Sequence, residues 1–298
     1  MWPFDNTGVW YAYPSFVDYI SSGETQNLDW YATRDDSKVW HFGSPGRAPQ
    51  SPLAQFETVT SRYVSAPVIA DLDLDGNQEI IIGDVVGEGI RVFNRFLAFK
   101  WAFSADTGLS VADGVLSTVQ VANIDSDPEL EILFGTESGY LYAVNHDTTL
   151  VSGYPQQLSI EPILSTPQVV DLDGDGTKEI LIGSGNGRIY VRNLDGSFKW
   201  NKSLGDFGDR FGSQAQNSTA VAADLDQDDD MEIIIGSWDK SLYVIDHEEN
   251  LLWTYATEDV IIGTALAADL DPEHDGLEIA FGSGDGSFYL LNLSLIHI

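Results

Sequence analysis

The stretch "DLDGDGTKEI" (Asp171–Ile180) returns along the chain in four variant forms, and no other feature constrains the fold as tightly. The copies are "DLDLDGNQEI" from Asp71, "NIDSDPELEI" from Asn123, "DLDQDDDMEI" from Asp224 and "DLDPEHDGLEI" from Asp269. Successive starts lie 52, 48, 53 and 45 residues apart. A fixed period near 50 residues marks a repeat architecture, in which each unit buries its apolar face only against its neighbours. The flanks keep the same register. Four residues before each start come Pro67, Val119, Pro167, Ala220 and Ala265, each behind Ser-Ala, Ser-Thr or Gly-Thr. A glutamate closes each acidic run (Glu79, Glu131, Glu179, Glu232, Glu278), and a glycine follows four residues later (Gly83, Gly135, Gly183, Gly236, Gly282).

Each unit reads as four short strands. "PQVV" enters the acidic loop and "EILIG" leaves it; "SGNG" is a turn, "RIYVRN" alternates, and "LDG" turns the chain into "SFKW". No helical period competes. Four strands in about 50 residues make one blade of a β-propeller. Trp101, Trp200 and Trp253 each fall eleven residues after Ile90, Ile189 and Leu242, and Ser152 takes that place in the second copy. These tryptophans are expected to pack between blades. Trp40, in the hairpin Asp29–Phe42, reads as the same marker in the second half of a blade that lacks its acidic loop. The expected fold is all-β: a propeller of four-stranded antiparallel blades, five loop-bearing repeats plus a partial blade, from a ring of about six or seven. Residues 1–27 form an aromatic-rich N-terminal segment and 28–298 the propeller. The pattern ends one residue before its last expected tryptophan position, so the C-terminus reads as truncated.

The acidic loops have the chemistry of a hard-cation site. Carboxylates at positions 1, 3 and 5 of a tight loop converge on a point; a glycine at position 6 allows the turn, position 7 offers a carbonyl, and a later acid closes the cage. Calcium takes six to eight oxygens at about 2.3–2.6 Å. Without a cation, like charges about 4 Å apart cost about 1 kcal/mol per pair even in water. The candidate ligands are Asp71, Asp73, Asp75, Asn77 and Glu79 in the first loop, and Asn123, Asp125, Asp127, Glu129 and Glu131 in the second. They are Asp171, Asp173, Asp175, Thr177 and Glu179 in the third, and Asp224, Asp226, Asp228, Asp230 and Glu232 in the fourth. In the fifth they are Asp269, Asp271, Glu273, Asp275 and Glu278, where one extra residue makes Glu273 and Asp275 compete for one role. The second loop carries Pro128 at position 6, where φ cannot be positive, so a reshaped, weaker site is expected there. The first and third loops match the full pattern and rank highest. Replacing Asp173 is therefore expected to cost more stability than replacing Asp127.

With these motifs in hand, residues 60–293 resemble the FG-GAP and VCBS repeats that build the propellers of integrin α-subunits and many bacterial surface proteins. Phe134-Gly135 and Phe281-Gly282 match the "FG" half; Ser65-Ala66-Pro67 and Ser165-Thr166-Pro167 match the "GAP" half. The family's calcium pattern, DxDxDGxx(D/E), is complete in the first and third copies. The resemblance implies up to five structural Ca2+ ions, which would reduce the net charge from −33 to −23. Such sites fill only where calcium is plentiful, so the resemblance implies an extracellular, cell-surface or periplasmic protein.

The charge balance, 47 acids against 14 bases, excludes a phosphate-backbone partner and an anionic lipid surface. No run of 18 apolar residues predicts a membrane span, no leader is visible, and the absence of cysteine removes disulfide and thiolate chemistry. No nucleophile elbow, HExxH motif or phosphate-binding loop occurs. "GSGNG" and "GSGDG" read as hairpin turns, and His146 and His247 as turn residues. The favoured function is a non-catalytic, adhesion-type module for a protein or glycan ligand. A calcium-dependent polysaccharide lyase is the alternative, and a quinone-dependent dehydrogenase a weaker third. The aromatic N-terminal segment reads as a packed extension or closing segment, with a ligand platform as the alternative; the long connection Lys202–Ser218, with Asp206, Asp209 and Arg210, is another candidate for ligand contact.

Overall fold

The computed structural model describes residues 15–19, 27–34, 38–42, 54–57, 65–84, 89–103, 113–115, 117–204, 218–270 and 276–292. All regular structure among them is β. The strands form six sheets of sequential neighbours, five of four strands and one of three. The first holds β1 (Ser15–Tyr19), β2 (Asn27–Arg34), β3 (Lys38–Phe42) and β4 (Ala54–Glu57). The second holds β5 (Val68–Ala70), β6 (Glu79–Asp84), β7 (Gly89–Asn94) and β8 (Phe99–Phe103). The third holds β9 (Gln120–Ala122), β10 (Glu131–Gly135), β11 (Tyr140–Val144) and β12 (Gln156–Gln157). The fourth holds β13 (Gln168–Val170), β14 (Glu179–Ser184), β15 (Arg188–Asn193) and β16 (Phe198–Ser203). The fifth holds β17 (Val221–Ala223), β18 (Glu232–Gly236), β19 (Ser241–Ile245) and β20 (Leu251–Ala256). The last holds β21 (Leu266–Ala268), β22 (Glu278–Gly282) and β23 (Phe288–Asn292).

The repeat predicted these strands closely, because each acidic loop falls between the first and second strand of its sheet. Two details differ. Trp40 lies on the third strand of the first sheet, opposite Ala32, whereas Trp101, Trp200 and Trp253 lie on fourth strands. The hairpin Asp29–Phe42 is thus the centre of a complete four-stranded sheet, with β1 and β4 pairing outside it, rather than the second half of a blade. The third sheet has only a two-residue fourth strand, at the copy where serine replaces tryptophan.

The chain divides into two compact units, Met1–Glu137 with Tyr142–Val151 and Ser138–Leu141 with Ser152–Ile298. Within each, neighbouring sheets pack face to face. In the first unit, Tyr31 and Val39 meet Ile80, Ile82 and Phe93. In the second, Leu181, Val191 and Trp200 meet Ile233, Ile235 and Tyr243, while Ile234 and Val244 meet Ile279 and Phe281. The second strands are therefore buried on both faces, which is why "EIIIG" and "EILIG" run continuously apolar instead of alternating. The phenylalanine of each "FG" pair stacks on the tyrosine eight residues later, on the next strand: Phe134 on Tyr142 at 5.3 Å, Phe281 on Tyr289 at 5.1 Å. An edge-on aromatic from the preceding sheet, Phe103 or Tyr255, completes each trio.

The serine and the glycine that recur 18 residues apart are one device. Ser65 Oγ accepts the Gly83 N–H at 2.7 Å, Ser165 Oγ the Gly183 N–H at 2.8 Å, and Ser218 Oγ the Gly236 N–H at 3.2 Å, all buried. The glycine is required by close approach: a Cβ on Gly236 would lie 2.3 Å from Ile261 Cγ2, and one on Gly83 2.8 Å from Val115 Cγ1. Ser165 also donates to the Gly183 carbonyl. Ser165→Ala leaves that buried N–H unsatisfied and is expected to cost about 1–3 kcal/mol, read from the urea midpoint.

Candidate metal centres

Four of the five acidic loops are anchored at two points before any charge is placed; in the fifth, Leu270 at position 2 is exposed. The apolar residue at position 2 enters the core: Leu72, Ile124, Leu172 and Leu225 are all buried. The closing glutamate opens the second strand and is buried in all five copies (0–4% exposed). Its Oε2 accepts the N–H of position 2: Leu72 at 3.1 Å, Ile124 at 2.7 Å, Leu172 at 3.0 Å, Leu225 at 2.7 Å and Leu270 at 2.8 Å. This bond fixes the loop's width and leaves Oε1 facing the other acids.

The turn itself is held by the outer acids. Asp71 and Asp171 each accept the N–H of the position-6 glycine at 2.9 Å, and Asp224 that of Asp229 at 3.2 Å. Gly76, Gly176 and Asp229 have φ of +88°, +86° and +75°, as the position-6 rule predicts. Position 4 also has positive φ in these loops, at Leu74, Gly174 and Gln227, which the sequence did not signal. The position-5 acids bond their own loops: Asp75, Asp175 and Asp228 accept the N–H groups of Asn77, Thr177 and Asp230 at 2.7, 2.6 and 3.0 Å.

Four groups of carboxylates converge, each with ligand atoms within 4.8 Å of one another: Asp71, Asp73 and Glu79; Asp125, Asp127 and Glu131; Asp171, Asp173 and Glu179; Asp224, Asp226 and Glu232. The second group of carboxylates holds positions 3, 5 and 9; at position 1 Asn123 is exposed and its amide donates to the Asp127 carbonyl. Asp75, Asn77, Glu129, Asp175, Thr177, Asp228 and Asp230 are not among the converging groups. In the fifth copy Asp269 is exposed and Glu278 Oε1 accepts from Asn292; Asp271, Glu273 and Asp275 lie outside the described residues. So do Asp206, Asp209 and Arg210 and the first 14 residues.

The donor set fits a hard cation. It is all carboxylate oxygen, and Asp71 Oδ1, Glu131 Oε1, Asp171 Oδ1 and Asp173 Oδ1 are buried with no hydrogen-bond partner. The strain of concentrating charge shows at the lysine-free groups. Burial pushes the Glu131 carboxyl up to about 7, with Asp125 and Asp127 adding to it. Burial likewise pushes Glu232 up to about 7, helped by Asp226, Asp228 and Asp224.

Two residues that the structure places against these carboxylates were not among the sequence candidates. Lys100 Nζ lies 3.3 Å from Asp73 Oδ2 and 2.8 Å from Glu79 Oε1. Lys199 Nζ lies 2.8 Å from Asp173 Oδ2 and 2.7 Å from Glu179 Oε1. Burial alone lowers the lysine pKa values, but these bonds hold both above the ordinary value. The Lys199 bond in turn holds Asp173 below the usual carboxylate range. The available signal was "FKW", present only in the two units whose loops carry the complete DxDxDG pattern.

Repeated four-stranded sheets with acidic loops between their first two strands are the blades of a β-propeller. Residues 171–235, from the third loop through the second strand of the fifth sheet, match the family model for FG-GAP-like repeats. The chain therefore carries an FG-GAP-like repeat in that span. No curated protein sequence matches the chain. Solved structures share the fold at low identity. BBS1N in complex with ARL6DN is 14% identical with a TM-score of 0.64, over 97% of this chain and 82% of that one. BamB from Moraxella catarrhalis is 15% identical, TM-score 0.58, over 88% and 82%. The V. cholerae biofilm matrix protein Bap1 is 18% identical, TM-score 0.58, over 84% of this chain and 40% of that one. Among the described residues no helix is long and apolar enough to cross a membrane.

Proposed function

We propose that this chain is a calcium-braced propeller module of an exported or surface-displayed protein, offering a rigid non-catalytic surface to a protein or glycan partner. One observation carries the reading: in the second loop the buried Glu131 keeps Oε1 unpartnered beside Asp125 and Asp127. A fold keeps such a carboxylate ionised cheaply when a cation completes it. The Asp125, Asp127 and Glu131 side chains would hold the ion, and the ion would tie β9 to β10 across the loop. Loops of this affinity class fill at the calcium levels found outside cells, which supports export. The description of Bap1 as a biofilm matrix protein agrees with that setting.

Amide hydrogen exchange tests the brace locally. Calcium is expected to slow exchange across residues 123–131 at least tenfold, and to leave the hairpin turn at 145–150 unchanged. Equal exchange at 123–131 with calcium and with chelator would remove the metal from the function. Glycan-array binding by the calcium-loaded chain, with no release of unsaturated sugars from acidic polysaccharides, is the result expected of a binding module.

A further inference from the structure

We propose that Lys100 and Lys199 are built-in counter-ions that take the cation's place in the first and third loops, so that calcium goes to the lysine-free loops, the second foremost. The inference rests on the calcium reading and reverses the ranking that the motif alone gives.

The geometry is specific. In the second, fourth and fifth sheets the pairing of third and fourth strands slips at the same place: between Val92 and Phe93, Val191 and Arg192, and Val244 and Ile245. Val92 faces Trp101 and Phe93 faces Phe99, so Lys100 is the extra residue of a β-bulge. Lys199 is the extra residue between Phe198 and Trp200, and Leu252 the one between Leu251 and Trp253. A bulge re-aims the side chain it inserts. In two sheets it delivers an ammonium to the acidic loop; in the fifth sheet it holds a leucine, half exposed.

The ammonium takes one oxygen from each of two carboxylates that an ion would need, and leaves Asp71 Oδ1, Asp171 Oδ1 and Asp173 Oδ1 without a hydrogen-bond partner. Lys199 takes Asp173 Oδ2 and Glu179 Oε1, from two of the three converging carboxylates, and Lys100 does the same with Asp73 and Glu79. A cation bound to those oxygens at about 2.3–2.6 Å would sit within a few ångströms of the ammonium, where like charges repel strongly. The same Oε1 accepts from Asn292 in the sixth sheet. In the third sheet it is Glu131 Oε1, fully buried and unpartnered. The bulge has no counterpart there, since the chain leaves β11 for a single bridge between Val144 and Leu150 and a two-residue β12. No lysine can reach the loop by that route.

Counting calcium per chain by equilibrium dialysis tests this, using the full chain with Asp173→Asn, with Asp125→Asn/Glu131→Gln, and with Lys199→Met. The expected counts, relative to the unaltered chain, are no change, one ion fewer, and one ion more. Loss of an ion in Asp173→Asn overturns the proposal while leaving the calcium reading intact, and so does a Lys199→Met count that does not rise. No bound calcium in any chain, Lys199→Met included, overturns the calcium reading and this proposal with it. If Lys199→Met does not fold, Lys199→Gln, which keeps a neutral donor on the bulge, replaces it with the same expected gain.

Discussion

Glu131→Gln is expected to change sign with calcium: destabilising the loaded protein by about 1–2 kcal/mol and stabilising the chelated protein by about 1 kcal/mol. Glutamine keeps the shape and the acceptor that Ile124 N–H needs at 2.7 Å. It removes a buried negative charge whose Oε1 has no partner and whose neighbours, Asp125 and Asp127, are also acids. In chelator that charge is a liability, as its pKa near 7 records, so its loss stabilises. With calcium present at about a hundred times its dissociation constant, the ion contributes about 2.7 kcal/mol, and the variant forfeits most of it. Urea unfolding of both chains in both buffers gives the four values. The same sign in both buffers would refute the assignment of Glu131 as an ion ligand.

Asp84→Ala is expected to cost about 3–5 kcal/mol whether or not calcium is present. Asp84 ends β6 with a fully buried side chain, and its Oδ2 lies 3.0 Å from Arg91 Nε on β7, itself 10% exposed. Removing the carboxylate leaves a guanidinium in a poorly solvated place. The double change Asp84→Leu/Arg91→Met is expected to cost clearly less, because it removes both charges together. A single-variant loss under about 1 kcal/mol, or a double variant worse than the single, would mean that the pair is not what stabilises this hairpin.

The blades were legible because every unit repeats the same solution to the same packing problem. The closing glutamate marks the start of the second strand, the continuous apolar run marks its burial on both faces, and the glycine marks the approach of the neighbouring sheet. A reader with one copy would have had an acidic turn; five copies in register gave strand boundaries. What stayed hidden depends on pairing rather than on local pattern. Trp40 kept the expected spacing yet belongs to a third strand, because spacing along the chain does not record which strands flank a hairpin. The lysines come from a fourth strand about 20 residues after the glutamate they meet, and only the bulge in that strand turns them onto the loop. The motif count ranked the first and third loops highest because it sees acids and not the base brought to them. Pro128 breaks the glycine pattern of the second loop, and there the converging carboxylates are Asp125, Asp127 and Glu131.

Thermal unfolding of the full chain in millimolar calcium and in excess chelator bears most directly on the claim that the acidic loops are ion braces. One filled loop at about a hundred times its dissociation constant adds about 2.7 kcal/mol. For a chain of 298 residues that raises the melting temperature by roughly 4 °C. The account predicts a rise of at least that order with calcium, smaller by one loop's share in Asp125→Asn/Glu131→Gln. Melting temperatures that coincide in the two buffers for the unaltered chain would contradict it.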